Sequence, residues 1–304
     1  MRQRRLWFDL ADDTLAEPRF AILGLPFDGA LSLREGAAAA PERMRAISLT
    51  ADPISRRGHR VKASVRDYGD VEARDASGQR LSQQAWLAAA RARLGTLPPG
   101  AFPLAIGGDN SVSIPAIEVF AQRQGGDIGI LWFDAHPDLF EVYDGNSDSH
   151  ACALRRAMSL TGLSGSQVVL LGTRSYAEEE VRFIEEQRIE LVTAADWLAS
   201  TTDQVAARIT QRLKGLSAVY WVVDIDGFDA SCAPGTGYPM PGGVPAESFF
   251  QLQERLFAQL PIRGMDITEV APPLDVNDMT SFLGVQIVLE TAWLLSERTA
   301  PPTP

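Results

Sequence analysis

The sequence predicts an α/β protein with a mostly parallel central sheet covered by helices on both faces. Three observations predict it. Short apolar, β-rich runs alternate with longer helical stretches, the pattern that produces right-handed crossovers and a parallel sheet. No linker, fixed-period repeat or long low-complexity segment interrupts the alternation, so the 304 residues read as one domain, 1–304. Within it, 1–18 reads as an N-terminal extension and 297–304 as a C-terminal tail. Finally, the acidic motifs all follow strands, and open parallel sheets form their sites at the carboxyl ends of strands.

In chain order, Phe20 to Phe27 is a buried strand stopped by Pro26 and a turn at Asp28-Gly29. A loop and a helix near 41–48 follow, then a short extended piece at 67–71. Ser82 is placed to cap a helix running to about Leu94. The segment 101–106 is a strand ending in Gly107-Gly108-Asp109-Asn110-Ser111, and a helix to about Gln122 leads to the strand 128–133. Ala151 to Met158 is helical, 168–171 a strand, 177–187 an amphipathic helix and 189–192 a strand. Helices fall around 194–199 and 202–214. Val219 to Ile225 is the most strongly β-like run in the chain. A Gly- and Pro-rich loop at 230–245 leads to a helix at 246–259, a last strand at 262–268 and a closing helix at 279–296.

A hydrophobic fraction of 45% and a mean hydropathy of -0.05 fit a soluble chain with a sizeable core. The net charge of -11 argues against nucleic acid or an anionic membrane as partner and suits a cationic ligand. Cys152 and Cys232 form neither a disulfide framework nor a C-x-x-C pair, which points to a reducing compartment. The N-terminus begins basic but lacks the apolar core of a signal peptide, and no stretch reads as long enough to span a bilayer. The expected location is the cytoplasm.

The chemistry concentrates in Asp134-Ala135-His136-Pro137-Asp138, directly after the 128–133 strand. In extended backbone, positions i, i+2 and i+4 share a face, so two carboxylates and an imidazole would enter one pocket. Asp224-Ile225-Asp226 repeats the spacing at the end of the 219–225 strand. Four buried carboxylates and one imidazole are costly unless a cation sits among them. Mixed oxygen and imidazole donors favour Mn²⁺ or a similar ion over a thiolate-type zinc site, and shared carboxylates would allow two ions to sit close together.

In order along the chain, Gly107-Gly108-Asp109-Asn110-Ser111, Asp134-Ala-His136-Pro-Asp138, Asp224-Ile-Asp226-Gly-Phe-Asp229 and Met265-Asp-Ile-Thr-Glu269-Val resemble the signature motifs of the ureohydrolase (arginase/agmatinase) family. Pro26-Phe27-Asp28 with Arg34-Glu-Gly36-Ala37, Asp67-Tyr-Gly69-Asp70-Val71 and the run Ala233 to Gly243 resemble the agmatinase branch. The resemblance spans roughly residues 20–295 and implies a three-layer α/β/α sandwich. It also implies two Mn²⁺ ions, with Ni²⁺ or Zn²⁺ as alternatives. Asp134 and Asp224 would bridge the two ions, His136 and Asp226 would complete one shell, and Asp138 would bind the other. By the same resemblance, a metal-bridging hydroxide attacks the guanidinium carbon of a small linear guanidino substrate, giving urea and an amine. Asp138 would handle the hydroxide's proton, His150 would shuttle protons and Glu269 would pair with the guanidinium. His59, in a basic stretch, reads as a surface residue. A homo-oligomer, trimer or hexamer, is implied as well, and a place in polyamine metabolism follows from the agmatinase branch.

One position departs from the family pattern. Asn110 stands where the first motif normally carries a metal-binding histidine. Either Asn110 is a surrogate ligand through its amide oxygen, or the site holds one ion, or another metal, with altered activity. The expected activity is agmatinase-like hydrolysis of a linear guanidino compound; guanidinobutyrate, guanidinopropionate, arginine and formiminoglutamate are neighbouring substrates. A formiminoglutamase-type hydrolase and a non-catalytic structural or regulatory protein are the alternatives. The segments 140–149 and 173–180 are the expected specificity loops. Their acids Asp144, Asp148, Glu178 and Glu179 would suit a cationic substrate tail.

Overall fold

The computed structural model describes residues 5–30 and 33–297. Residues 1–4 of the expected N-terminal extension and 298–304 of the expected tail lie outside the described residues. Among the described residues, eight strands form one sheet: β1 (Phe20–Leu25), β2 (Val65–Asp70), β3 (Phe102–Gly107), β4 (Ile128–Phe133), β5 (Val168–Leu171), β6 (Glu190–Val192), β7 (Ala218–Asp224) and β8 (Ile262–Thr268). Their order is β2-β1-β3-β8-β7-β4-β5-β6 and every pairing is parallel.

One short turn precedes the sheet, α1 (Leu6–Asp9), and nine helices connect or flank the strands: α2 (Ala40–Ser48), α3 (Gln83–Gly95), α4 (Ser113–Arg123), α5 (Ala153–Thr161), α6 (Glu178–Gln187), α7 (Ala194–Leu198), α8 (Thr202–Arg212), α9 (Ala246–Gln259) and α10 (Met279–Glu297). Ser82 caps α3 as expected, its hydroxyl accepting the Ala85 N–H at 3.3 Å.

Strand alternation builds the three layers. Phe20, Ile22, Leu131 and Phe133 pack with residues of α2 and α7 to α10, whereas Ala21, Leu23, Ile130 and Trp132 pack with α3 to α6. Both faces of the central strands are therefore apolar, which is why β1, β4 and β7 read as continuous hydrophobic runs. Each such side chain contributes about 1.5–3 kcal/mol on full burial. The edge strands differ: β2 ends in exposed Gly69 and Asp70, and β6 begins on half-buried Glu190. Charged edges discourage pairing with other chains.

One expectation changes. By length and composition α10 is long and apolar enough to cross a bilayer, contrary to the reading that no stretch is. It is a core helix, with 67% of its apolar window buried. In the N-terminal segment, Trp7 and Phe8 are core residues. Ser48 Oγ accepts the Trp7 backbone N–H at 2.9 Å, and the Trp7 indole donates to Asp67 Oδ2 at 2.6 Å.

Candidate metal centre and active site

The sheet order makes β4, β7, β8 and β3 consecutive neighbours, so the loops leaving their carboxyl ends share one pocket of about 230 Å³. Asp134, His136 and Asp138 enter from β4, Asp224 and Asp226 from β7, Glu269 from β8 and Asn110 from β3. Gly108 makes the β3 approach possible. A side chain there would run into the Phe27 carbonyl, 1.6 Å from where a Cβ would sit.

The acids converge differently from the extended geometry the spacing suggests. Strand β4 ends at Phe133, and 134–136 bend so that the His136 N–H donates to Asp134 Oδ1 at 2.6 Å. Asp138 then takes a left-handed conformation, φ 52°. After β7, residues 225–227 form a 3₁₀ turn in which the Asp226 N–H donates to Asp224 Oδ1 at 2.7 Å. Tight turns at the strand ends bring the acids together; continued pleating does not.

Asp134, His136 and Asp226 form a group that could hold a metal ion, each offering one ligand atom, all within 4.8 Å of one another. His136 Nδ1 lies 3.4 Å from Asp134 Oδ1 and 3.2 Å from Asp226 Oδ2. Burial pulls the His136 imidazole down, but Asp226 and Asp134 more than offset this and hold it up at about 12. Burial lifts Asp226 and the facing His136 overrides it, leaving Asp226 at about 2. Burial together with the Asp226 charge pushes Asp134 up to about 7. Asp138 and Asp224 are raised well above the usual carboxylate range, first by burial and then by neighbouring aspartates. A set so rich in buried negative charge has the chemistry of a cation site.

Asn110 reaches the cluster with its NH₂ group foremost. Its Nδ2 donates towards Asp138 Oδ2 at 2.8 Å and Asp224 Oδ2 at 2.6 Å, and lies 2.9 Å from Asp134 Oδ2. The amide oxygen, which a surrogate ligand would use, instead accepts the Thr268 hydroxyl.

Across the pocket His150 Nδ1 lies 3.5 Å from Glu269 Oε1, which also accepts the Asn110 backbone N–H at 3.0 Å. Burial lowers the His150 pKa, but Glu269, with Asp109 and Asp134, more than offsets it and the net direction is upward. Glu269, like Asp138, has left-handed backbone, φ 61°. Two non-glycine residues in that region, both in the pocket, are the kind of local strain that collects at functional sites.

The expected specificity loops do line the pocket, through Phe140, Tyr143, Tyr176 and Glu180, but the four acids singled out from sequence do not. Asp148 pairs with Arg156 at 2.8 Å. Glu179 accepts the Glu141 N–H at 3.0 Å, and Glu178 points to solvent beside Arg182. Arg34 lies on the pocket wall instead, donating to the Gly237 carbonyl at 3.0 Å.

Several positioning residues escaped the sequence reading. The Trp132 indole donates to Asp134 Oδ2 at 2.9 Å. Arg174, at the end of β5, donates to the carbonyls of Asp226 and Met240 at 2.8 Å and of Phe228 at 3.1 Å, tying the Asp226 turn to the Gly- and Pro-rich loop. Glu180 is buried and accepts backbone N–H groups of Leu139 and Ala177, fixing the loop after Asp138. The one available signal was that Trp132 and Arg174 sit at or just after the carboxyl ends of strands.

A wholly parallel three-layer sandwich with a carboxylate–imidazole cluster at its strand ends defines a class of α/β proteins with a candidate cation site at the carboxyl edge of the sheet. The Arginase family model matches residues 18–293. The chain belongs to the arginase family, the ureohydrolases, which hydrolyse non-peptide C–N bonds of amidines. It is 29% identical over 283 residues to the guanidinobutyrase of Pseudomonas aeruginosa, covering 90% of this chain and 86% of that protein. It is 30% identical over 287 residues to the mitochondrial agmatinase of Gallus gallus, covering 90% and 80%. Among solved structures, the proclavaminate amidino hydrolase of Streptomyces clavuligerus superposes with a TM-score of 0.87 at 25% identity, covering 97% of this chain and 98% of that one.

Proposed function

We propose that the chain, acting as one domain, is a metal-dependent amidinohydrolase that releases urea and an amine from a small linear guanidino compound. One observation carries the reading: the Asp134, His136 and Asp226 ligand atoms converge beside a pocket whose opposite wall holds the His150–Glu269 pair. The donor set fits a divalent cation, with Mn²⁺ favoured by its oxygen and imidazole character. A cation held there would supply acidified water, so that hydroxide is available near neutral pH.

The protein's own groups supply the rest. The Glu269 carboxylate pairs with the planar guanidinium fork and fixes the reacting carbon. Asp138, facing the cluster from its strained loop, accepts the proton of the attacking water. His150, its pKa raised beside Glu269, delivers a proton to the leaving amine nitrogen, which would otherwise depart as an unstable anion. Phe140, Tyr143, Tyr176 and Tyr238 restrict water around the substrate tail.

Arg34 on the wall, with Asp148 and Glu179 engaged elsewhere, favours an acid-tailed guanidino compound such as guanidinobutyrate or guanidinopropionate over agmatine. A cytoplasmic homo-oligomer is part of the same reading.

The test is urea release by Mn²⁺-reconstituted protein from guanidinobutyrate, guanidinopropionate, agmatine and arginine, with formamide release from formiminoglutamate, repeated with Ni²⁺ and Zn²⁺. Turnover of an acid-tailed guanidine above agmatine is the expected result. Formamide from formiminoglutamate alone would reassign the reaction. A fully metallated protein inert towards every compound would make it a non-catalytic member of the family.

A further inference from the structure

The second metal position of the family pattern does not fit a cation in this chain, and this deepens, and rests on, the amidinohydrolase reading. Asn110 is 2% exposed, so its amide must be satisfied by protein groups. Its Nδ2 faces three carboxylate oxygens, from Asp134, Asp138 and Asp224, at 2.9, 2.8 and 2.6 Å. An amide has one donor end and one acceptor end, and the network decides which way it points. Turned round, the amide would present a fourth acceptor oxygen to three acidic ones. The Thr268 hydroxyl donates to Oδ1 from behind, and the Asn110 backbone N–H is held by Glu269 Oε1 at 3.0 Å.

Asp134 divides the cluster. Its Oδ1 faces His136, on the side shared with Asp226, while its Oδ2 takes the Trp132 and Asn110 donors. One flank is therefore a set of converging donor atoms with room for a cation. The other has its carboxylates already turned onto N–H groups.

We propose that this protein binds a single divalent cation, through Asp134, His136 and Asp226, and that the Asn110 NH₂ group replaces a second cation by hydrogen-bonding the carboxylates on the other flank. Charge-assisted N–H···O⁻ bonds to an immobile amide hold Asp138 and Asp224 in place without a metal. A second ion could enter only by displacing those bonds and rotating the amide against Thr268, and would then gain an amide oxygen, a weaker ligand than imidazole.

The experiment is Mn²⁺ binding to the intact chain by equilibrium dialysis with elemental analysis, read together with electron paramagnetic resonance. The expected result is one Mn²⁺ per chain with the spectrum of an isolated ion, any further ion binding at least about a hundredfold more weakly. Asn110→His should bring a second ion and an exchange-coupled spectrum. Two ions with exchange coupling in the unmutated protein would overturn the proposal and leave the amidinohydrolase reading standing. No bound cation at all, with Ni²⁺ and Zn²⁺ dialysed in the same way, would overturn both. A folded Asn110→His protein that still binds one ion would show that Asn110 is not what excludes the second. The measurement on the unmutated chain decides the matter even where the variant does not fold.

Discussion

The His150 imidazole and the Glu269 carboxylate face each other at 3.5 Å across the pocket, each brought there by a different strand-end loop. The pairing keeps His150 protonated to higher pH than an isolated imidazole. Activity that needs the protonated form should therefore fall on the basic side only above the raised pKa. Glu269→Gln removes the carboxylate, so the basic limb should move to lower pH and KM should rise. His150→Asn should lower kcat by about 10²–10⁴ with little change in KM. Urea-release profiles across pH 6–10 check both. An unchanged basic limb in Glu269→Gln would separate the two residues.

Trp132 tests whether an orienting donor matters to the cation. Trp132→Phe keeps most of the apolar volume and deletes the N–H that holds Asp134 Oδ2 at 2.9 Å. Outer hydrogen bonds of this kind are worth about 10–100-fold in metal affinity. Calorimetric Mn²⁺ titration should show that loss while far-ultraviolet circular dichroism stays the same. Full affinity in the variant would mean that Asp134 is positioned by its backbone alone.

Arg174 is expected to act through geometry. Arg174→Met leaves the Asp226, Phe228 and Met240 carbonyls without their shared donor. Destabilisation on the order of 2–4 kcal/mol should follow, from several hydrogen bonds lost in a packed setting. Urea denaturation measures it. Because the Asp226 turn is one anchor of the clamp, cation affinity should weaken in the same variant.

Asp266 offers a pH signature away from the pocket. It is fully buried in β8, with the Tyr220 hydroxyl donating to Oδ2 at 3.3 Å, and burial raises it from the ordinary 3.8 to about 7. The native state then binds a proton that the unfolded chain has released, so stability is highest below pH 4 for this group and is lost as pH rises through about 7. Asp266→Asn should remove this pH dependence, on the order of 2–4 kcal/mol between pH 4 and 8. Parallel denaturation series at several pH values, compared between the two proteins, would expose it. Parallel curves would mean that Asp266 is ionised in the folded protein.

Much of the fold was legible from periodicity. The runs at 128–133 and 219–225 are apolar on both faces because helices cover both sides of the sheet, and every strand expected from sequence has a counterpart within a few residues. The spacing-two acids were legible as a cluster, but for a partly wrong reason. The pleat does not carry them into the pocket; bends after Phe133 and Asp224 do. The left-handed backbone of Glu269 had no sequence signature; Asp138 is of a residue type that visits that region, but aspartate is too common elsewhere to mark it.

Sequence by itself determined the alternation of strands and helices, the family motifs in order and the chemical types gathered at the strand ends. These are local properties: composition, period and spacing. Which strands became neighbours, and so which motifs met, was decided by the β3-β8-β7-β4 order, a long-range packing result. Tertiary structure alone decided that Glu179 and Asp148 of the expected specificity loops turn onto Arg155 and Arg156 and that Arg34 lines the pocket. It also decided which end of Asn110 faces Asp134, Asp138 and Asp224. The residue name offers a donor and an acceptor equally, and the acceptor-only carboxylates of Asp134, Asp138 and Asp224 select between them, with the Thr268 hydroxyl, 158 residues away in sequence, donating to the oxygen behind.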